Sequence, residues 1–189
     1  MQKYTDLYDV LIIGAGPAGS NAAISYKKLN PTLKVGLIDK AVFPRDKSCG
    51  DAIGPGVISA LKRFNNEHIL ENEPQVVSTT LYGPENIGIQ NYIPEVKNKE
   101  DSIVYVIPRI DLDNRILNLA KDLEVDVFEG YSFVAFEEDI DKKLVVEIKN
   151  ENHNLKFGTK ILIGADGANS RVRKPVSYTH LTLPTTWSV

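Results

Sequence analysis

The sequence predicts an α/β fold built on a parallel sheet, and three observations carry that reading. Val10 to Ile13 form an unbroken apolar run, as a strand covered on both faces requires. The run breaks into Gly14-Ala-Gly-Pro-Ala-Gly19, in which Gly14, Gly16 and Gly19 have the G-x-G-x-x-G spacing. A second strand, Lys34-Val-Gly-Leu-Ile-Asp39, then ends on an acid about 20 residues further on.

Taken together, Tyr8 to Asp39 reads as a strand–helix–strand unit able to hold a dinucleotide. Gly14 permits the tight turn, Gly16 lets backbone N–H groups approach a pyrophosphate, and Gly19 lets the helix pack close to the strand. The helix N-terminus then directs its free N–H groups and dipole at the phosphates, and Asp39 stands where a ribose hydroxyl is bound.

Composition narrows the classes. The 189 residues suffice for one domain with a sizeable core, and the net charge of −3, with no basic stripe, argues against a nucleic-acid partner. The single Cys49 excludes a disulfide framework within the chain and leaves no C-x-x-C motif. His68, His153 and His180 lack ligand spacing, so no metal site is expected. No apolar run is long enough to span a bilayer. A cytoplasmic protein is expected, with peripheral membrane association left open and the oligomeric state undetermined.

The elements follow in order. Ala18, Ala22, Ala23, Tyr26 and Leu29 recur at helical spacing and give the first helix a small-residue face, ended by Asn30-Pro31. Lys40 to Pro55 has neither period and reads as a long ordered loop, a kind of segment that often carries function. Gly56 to Phe64 reads as a short helix with Val57, Leu61 and Phe64 on one face. Val76–Tyr82, Ile87–Tyr92 and Ile103–Ile107 are β-prone pieces of an inserted, substrate-facing sheet, with the charged run Glu95–Asp101 as a solvated turn.

Pro108 opens an amphipathic helix striped by Leu112, Ile116, Leu119, Ala120 and Leu123, with Asp111 or Asp113 suiting its dipole. Val125–Phe128 reads as a parallel strand. Tyr131–Phe136 and Leu144–Lys149 form a hairpin, and Asn154–Phe157 completes a three-stranded antiparallel layer. Lys160 to Gly164 is read as the last buried strand, leading into Ala165-Asp-Gly-Ala-Asn-Ser-Arg-Val-Arg173.

Four stretches together resemble one family: Gly14 to Gly19, Arg45-Asp-Lys-Ser-Cys-Gly-Asp51, Pro108-Arg-Ile-Asp-Leu-Asp113 and Gly164 to Arg173. They are similar to flavoprotein oxidoreductases of the geranylgeranyl reductase group, within the p-hydroxybenzoate hydroxylase-like FAD superfamily. The resemblance runs from Tyr8 to Arg173. It implies a Rossmann-like FAD-binding sheet carrying the antiparallel layer and part of a β-rich substrate region.

It also implies roles for residues. Gly14, Gly16, Pro17, Ala18 and Gly19 match the turn on the FAD pyrophosphate. Asp39, followed by Lys40, matches the acid that binds the adenosine ribose. That acid is usually Glu in the superfamily, so the shorter Asp39 must reach further or the loop must sit closer. Arg109 matches an arginine that contacts the flavin cofactor, and Asp166 with Gly167 matches a second fingerprint associated with FAD and the nicotinamide donor. Arg45, Cys49, Gly50 and Asp51 fall in the loop beside the flavin ring, where Cys49 would face the substrate and shape or assist catalysis.

Read as residues alone, these positions keep plainer alternatives: a turn after a strand for Asp166-Gly167, a helix cap or solvated side chain for Arg109, an inert buried thiol for Cys49.

The resemblance implies an FAD-dependent oxidoreductase that reduces carbon–carbon double bonds of an isoprenoid chain, a small-molecule or lipid substrate, with NAD(P)H or another electron donor. The alternatives are a flavin monooxygenase or an inactive nucleotide-binding fragment. The expected organisation is an incomplete FAD-binding domain over 1–175, with substrate-region strands at about 76–107. The charge-free segment 176–189 reads as a non-native tail, and a chain that lacks the family's later motifs is expected to be inactive by itself.

Overall fold

The computed structural model describes residues 4–49, 51–92 and 104–174. Gly50, the whole run Glu95–Asp101 with its flanks, and the segment 175–189 lie outside the described residues. The chain divides into two compact units, the first made of residues 1–41 and 123–189 and the second of residues 42–122.

The first unit is one six-stranded sheet with a helix packed on it. In chain order its elements are β1 (Asp6–Ile13), α1 (Pro17–Leu29) and β2 (Val35–Asp39), and later β7 (Asp126–Glu129), β8 (Ser132–Glu138), β9 (Leu144–Lys149) and β10 (Asn154–Gly164). The strand order is β7-β2-β1-β10-β9-β8. β7, β2, β1 and β10 run parallel, while β10 to β9 and β9 to β8 are antiparallel. This is the parallel sheet with an antiparallel extension that the apolar runs predict.

The apolar run of β1 lies in the middle because it can be buried on both faces: Val10, Leu11 and Ile12 are all within 1% of complete burial. Tyr8, Leu11, Ile13, Ile38, Phe133, Val146, Ile148, Phe157 and Val172 form a core cluster, with Phe128 packed against it. The Tyr8 hydroxyl, at the edge of that cluster, donates to Asp126 Oδ2 at 3.0 Å.

Some sequence expectations shift here. The two pieces Asn154–Phe157 and Lys160–Gly164 are one continuous strand. Its Asn154–Thr159 half pairs with β9, and Phe157–Gly164 pairs with β1, so the antiparallel layer and the parallel sheet share a strand. Its last part is less buried than its composition suggests: Ile161 is exposed and Leu162 and Ile163 are half-buried. Beyond Thr159, β10 has a strand partner on one side only among the described residues.

The buried face of α1 is also rotated from the alanine stripe. Gly19, Ser20, Ala23, Ile24 and Lys27 are buried, while Ala18 and Leu29 are exposed. Ser20 Oγ donates to the Ala15 carbonyl, and Lys27 Nζ donates to the carbonyls of Pro31 and Leu33, so polar residues can occupy that face with their groups satisfied.

The second unit holds β3 (Ala52–Ile53), α2 (Pro55–Arg63), a 3-10 turn (Glu67–Leu70), β4 (Ser78–Tyr82), β5 (Gly88–Tyr92), β6 (Tyr105–Val106) and α3 (Arg109–Asp122). β3 pairs with β6, and β4 with β5, all antiparallel, so the expected strands are present as two small ribbons. α2 buries Ile58 and Leu61, not Val57, which is exposed. α3 buries Leu112, Ile116 and Ala120 as expected, but Leu117 takes the place of Leu119, and Asp113 is buried with them.

Candidate cofactor-binding site

In an open α/β sheet, ligands bind beyond the carboxyl ends of the strands. At that edge of the first unit β1 ends at Ile13 and turns through Gly14, β2 ends in Asp39 and β10 in Gly164, and two backbone hydrogen bonds tie these ends together. Gly14 N donates to Ile38 O and Ala165 N to Ile13 O, each at 2.7 Å.

The glycines divide their work. Gly14 has φ +104, a conformation side chains rarely adopt, and a Cβ there would run into the Ala165 carbonyl oxygen and lie 2.9 Å from Asp166 N. Its own N–H is committed to Ile38, so Gly14 contributes shape and offers no donor. A Cβ on Gly19 would overlap the Gly14 carbonyl oxygen and lie 3.3 Å from Ala165 Cβ, which is the close helix–strand approach predicted for it. Gly16 instead caps α1 with φ −67 and ψ −178, an extended backbone that any residue adopts. Its backbone angles therefore do not by themselves call for glycine.

The start of α1 fits an anion. Gly16 supplies no side-chain cap, Pro17 occupies the first turn, and that turn carries no acid, so the dipole and the first N–H groups are not neutralised by the helix itself.

The short Asp39 side chain is engaged by backbone N–H groups on both of its oxygens. Its Oδ2 accepts the Ala15 N–H at 2.7 Å and its Oδ1 accepts the Ala41 N–H at 2.8 Å. A carboxylate has about four acceptor positions, so those left are available to sugar hydroxyls. Lys40, beside it, is exposed.

Asp166 is engaged by its own turn. Oδ1 accepts from the Ser170 hydroxyl at 2.5 Å, and Oδ2 accepts the N–H groups of Arg171 at 2.6 Å and Val172 at 3.3 Å. Burial pushes its pKa up, but these donors outweigh burial and hold the carboxyl below its ordinary value. Gly167 has φ +83, with nothing within 4 Å of a Cβ built on it. Asp166 thus shapes the loop, and the Gly14 turn packs directly against that loop.

In the second unit the structure brings Arg45, Cys49, Asp51 and Arg109 together. Asp51 Oδ1 accepts the Arg109 N–H at 3.2 Å, at the start of α3. Cys49 is exposed, against its reading as an inert buried residue. The Asp51 backbone N–H, and after it the Arg109 guanidinium, hold its thiol below the usual cysteine value. Arg45 lies with its guanidinium over the Phe43 ring, 4.9 Å from the centroid.

Sequence reasoning missed one member of this cluster. Asp113 is completely buried, binds Arg109 through both carboxylate oxygens, and lies 3.2 Å from Arg45 Nη1. The Arg109/Asp113 spacing of i,i+4 is a signal that could have found it. Among the described residues no group of His, Cys, Asp and Glu could hold a metal ion, and no helix is long and apolar enough to cross a membrane.

The α1 N-terminus without a side-chain cap and the acid at the β2 end suit a dinucleotide such as FAD. Comparison with known proteins gives the same direction. The chain is 33% identical over 178 residues to the geranylgeranyl diphosphate reductase of Rhodobacter capsulatus, covering 93% of this chain and 41% of that protein. It is 29% identical to a menaquinone reductase of Mycolicibacterium smegmatis, covering 90% of this chain and 40% of the relative. The chain therefore spans about two fifths of the length of these curated relatives.

Among solved structures it is similar to a geranylgeranyl bacteriochlorophyll reductase-like protein of Thermoplasma acidophilum, with TM-score 0.69, 25% identity, and coverage of 86% of this chain and 40% of the other. It shares its fold with the p-nitrophenol 4-monooxygenase PnpA of Pseudomonas putida, with TM-score 0.80, 16% identity, and coverage of 92% and 44%. Residues 7–187 match the FAD binding domain family, and with the glycine turn and strand-end acid in place the chain belongs to that family.

Proposed function

We propose that this chain is the FAD-binding part of an oxidoreductase that reduces carbon–carbon double bonds in an isoprenoid chain. The observation that carries the cofactor half is the α1 N-terminus, left without cap or acid behind a Gly16 whose backbone does not itself require glycine. The substrate half is supported by the relatives named for geranylgeranyl and digeranylgeranyl substrates.

FAD, when bound, supplies hydride chemistry. In this reading the N–H groups of Gly16, Ala18 and Gly19 hold the pyrophosphate, Asp39 takes the ribose, and the Asp166-Gly167 loop supports the Gly14 turn from behind. By the family resemblance, Arg45, Gly50, Asp51 and Arg109 are assigned to the flavin end of the cofactor. Cys49 is the protonatable group of that loop. Its thiol holds a proton that can be given to the alkene carbon left electron-rich during reduction, and Asp51 N–H and Arg109 stabilise the resulting thiolate. NAD(P)H is the proposed electron donor. A cytoplasmic protein in peripheral contact with a membrane fits a lipid substrate, as the absence of a spanning helix among the described residues allows.

The test has two parts. FAD added to the purified chain is expected to show quenched flavin fluorescence that Gly16→Val removes. With reduced flavin and a geranylgeranyl substrate, the full-length protein is expected to form a saturated product without oxygen. A hydroxylated product that needs oxygen would replace this reading with a monooxygenase.

A further inference from the structure

Asp113 has no assigned role, yet its burial is the most demanding electrostatic feature of the second unit. A completely buried carboxylate is tolerated only when paired. Here Oδ1 accepts Arg109 Nε at 2.7 Å and Oδ2 accepts Arg109 Nη2 at 2.8 Å, a bidentate contact that fixes the plane of the guanidinium. Arg45, from the preceding loop, places Nη1 3.2 Å from the same Oδ2. One carboxylate thus hydrogen-bonds Arg109 and stands in charge contact, without hydrogen-bond geometry, with Arg45, and both arginines are largely buried, with side-chain exposures of 15% and 20%.

With Nε and Nη2 spent on Asp113, the donors that remain to Arg109 are those its fork directs elsewhere. Arg109 also adjoins the Cys49 loop, because Asp51 Oδ1 accepts its backbone N–H at 3.2 Å, and its guanidinium is among the groups that hold the Cys49 thiol below its ordinary value. We propose that Asp113 is a positioning residue, locking Arg109 and Arg45 so that the Arg109 guanidinium is presented to Cys49. The inference deepens the reading of Cys49 and Arg109 as site residues and rests on it for its functional meaning. The charged groups acting on Cys49 are Arg109 and Asp51, with Arg45 and Asp113 behind Arg109.

Because Cys49 is the only cysteine of the 189-residue chain, its titration can be read without ambiguity by alkylation with iodoacetamide as pH is varied. The wild-type midpoint is expected below that of an ordinary thiol. In Asp113→Asn the guanidinium loses its hold, so the midpoint is expected to rise and alkylation at neutral pH to slow several-fold. The sign separates two causes: deleting the Asp113 charge with Arg109 still in place would lower the midpoint instead.

Arg109→Lys keeps the charge but has no fork, and is expected to raise the midpoint as far as Asp113→Asn, with the double variant adding nothing. A folded Asp113→Asn chain whose midpoint is unchanged or lowered would overturn the proposal, as would a wild-type midpoint in Arg109→Lys. If Asp113→Asn does not fold, Arg109→Lys decides alone. No flavin enters the measurement, so a chain that fails to bind FAD overturns the functional reading and leaves this result standing.

Discussion

The Ala15 N–H donates to Asp39 Oδ2 at 2.7 Å, joining the glycine turn to the end of the neighbouring strand without any ligand. Asp39 therefore has a structural duty besides the one its position implies. Asp39→Ala would leave the N–H of fully buried Ala15 without that partner, a loss of about 1–3 kcal/mol. Thermal unfolding of the chain without FAD is expected to show a lowered Tm, and an unchanged Tm would mean the bond carries no stability.

The glycines should separate by what surrounds them. Gly19→Ala puts a Cβ into the Gly14 carbonyl and is expected to destabilise by about 1–3 kcal/mol. Gly16→Val, at an ordinary φ, is expected to leave the chain folded while removing FAD binding. If Gly16→Val unfolds the chain, or Gly19→Ala leaves it as stable as wild type, this division of labour is wrong.

The Asp166 carboxyl titrates below its ordinary value of 3.8 in the folded chain. A depressed carboxyl contributes stability that is fully present above the unfolded value and lost as pH falls through the folded one. Asp166→Asn is therefore expected to be less stable than wild type at neutral pH, with the gap closing as pH falls below about 4. Tm measured against pH checks this, and a gap that stays constant into strong acid would contradict it.

Phe157 joins the aromatic cluster, with ring centroids 5.4 Å from Tyr8 and 4.8 Å from Phe128. At 3% exposure, Phe157→Ala is expected to cost about 3–5 kcal/mol in chemical denaturation. Ile140, 98% exposed in a turn, serves as the control, because Ile140→Ala removes nothing from the core.

The parts of the site legible in the sequence are those set by chain-local rules. The apolar run, the glycine spacing and the acid at the strand end each depend on neighbours within one strand–turn–helix unit, and all three fall at one sheet edge. What periodicity could not resolve was decided by specific hydrogen-bond and strand partners, some near and some distant in sequence. The buried face of α1 turned toward Ser20 and Lys27 because carbonyls of Ala15, Pro31 and Leu33 satisfy them. Asp113 looked like a helix-dipole residue because Arg45, its second partner, lies far away in the loop. The break read between Phe157 and Lys160 came from Gly158 and Thr159, yet Gly158 pairs normally with Leu7 and Val145, and buried Thr159 with Tyr8 and Leu144.

β10 belongs to two registers at once, and this constrains how homologous chains can differ in length. Its eleven residues extend for about 35 Å, with Asn154–Thr159 set against β9 and Phe157–Gly164 set against β1. A residue inserted among Phe157, Gly158 and Thr159 would invert the facing of every side chain on one side of the insertion, exposing part of the core or displacing Ala165 and Asp166 from the Gly14 turn. The turns at Asp139–Lys143 and Asn150–His153, closed by local hydrogen bonds, carry no such double obligation. Insertions and deletions should accumulate there, while the span from Asn154 to Asp166 keeps a constant length.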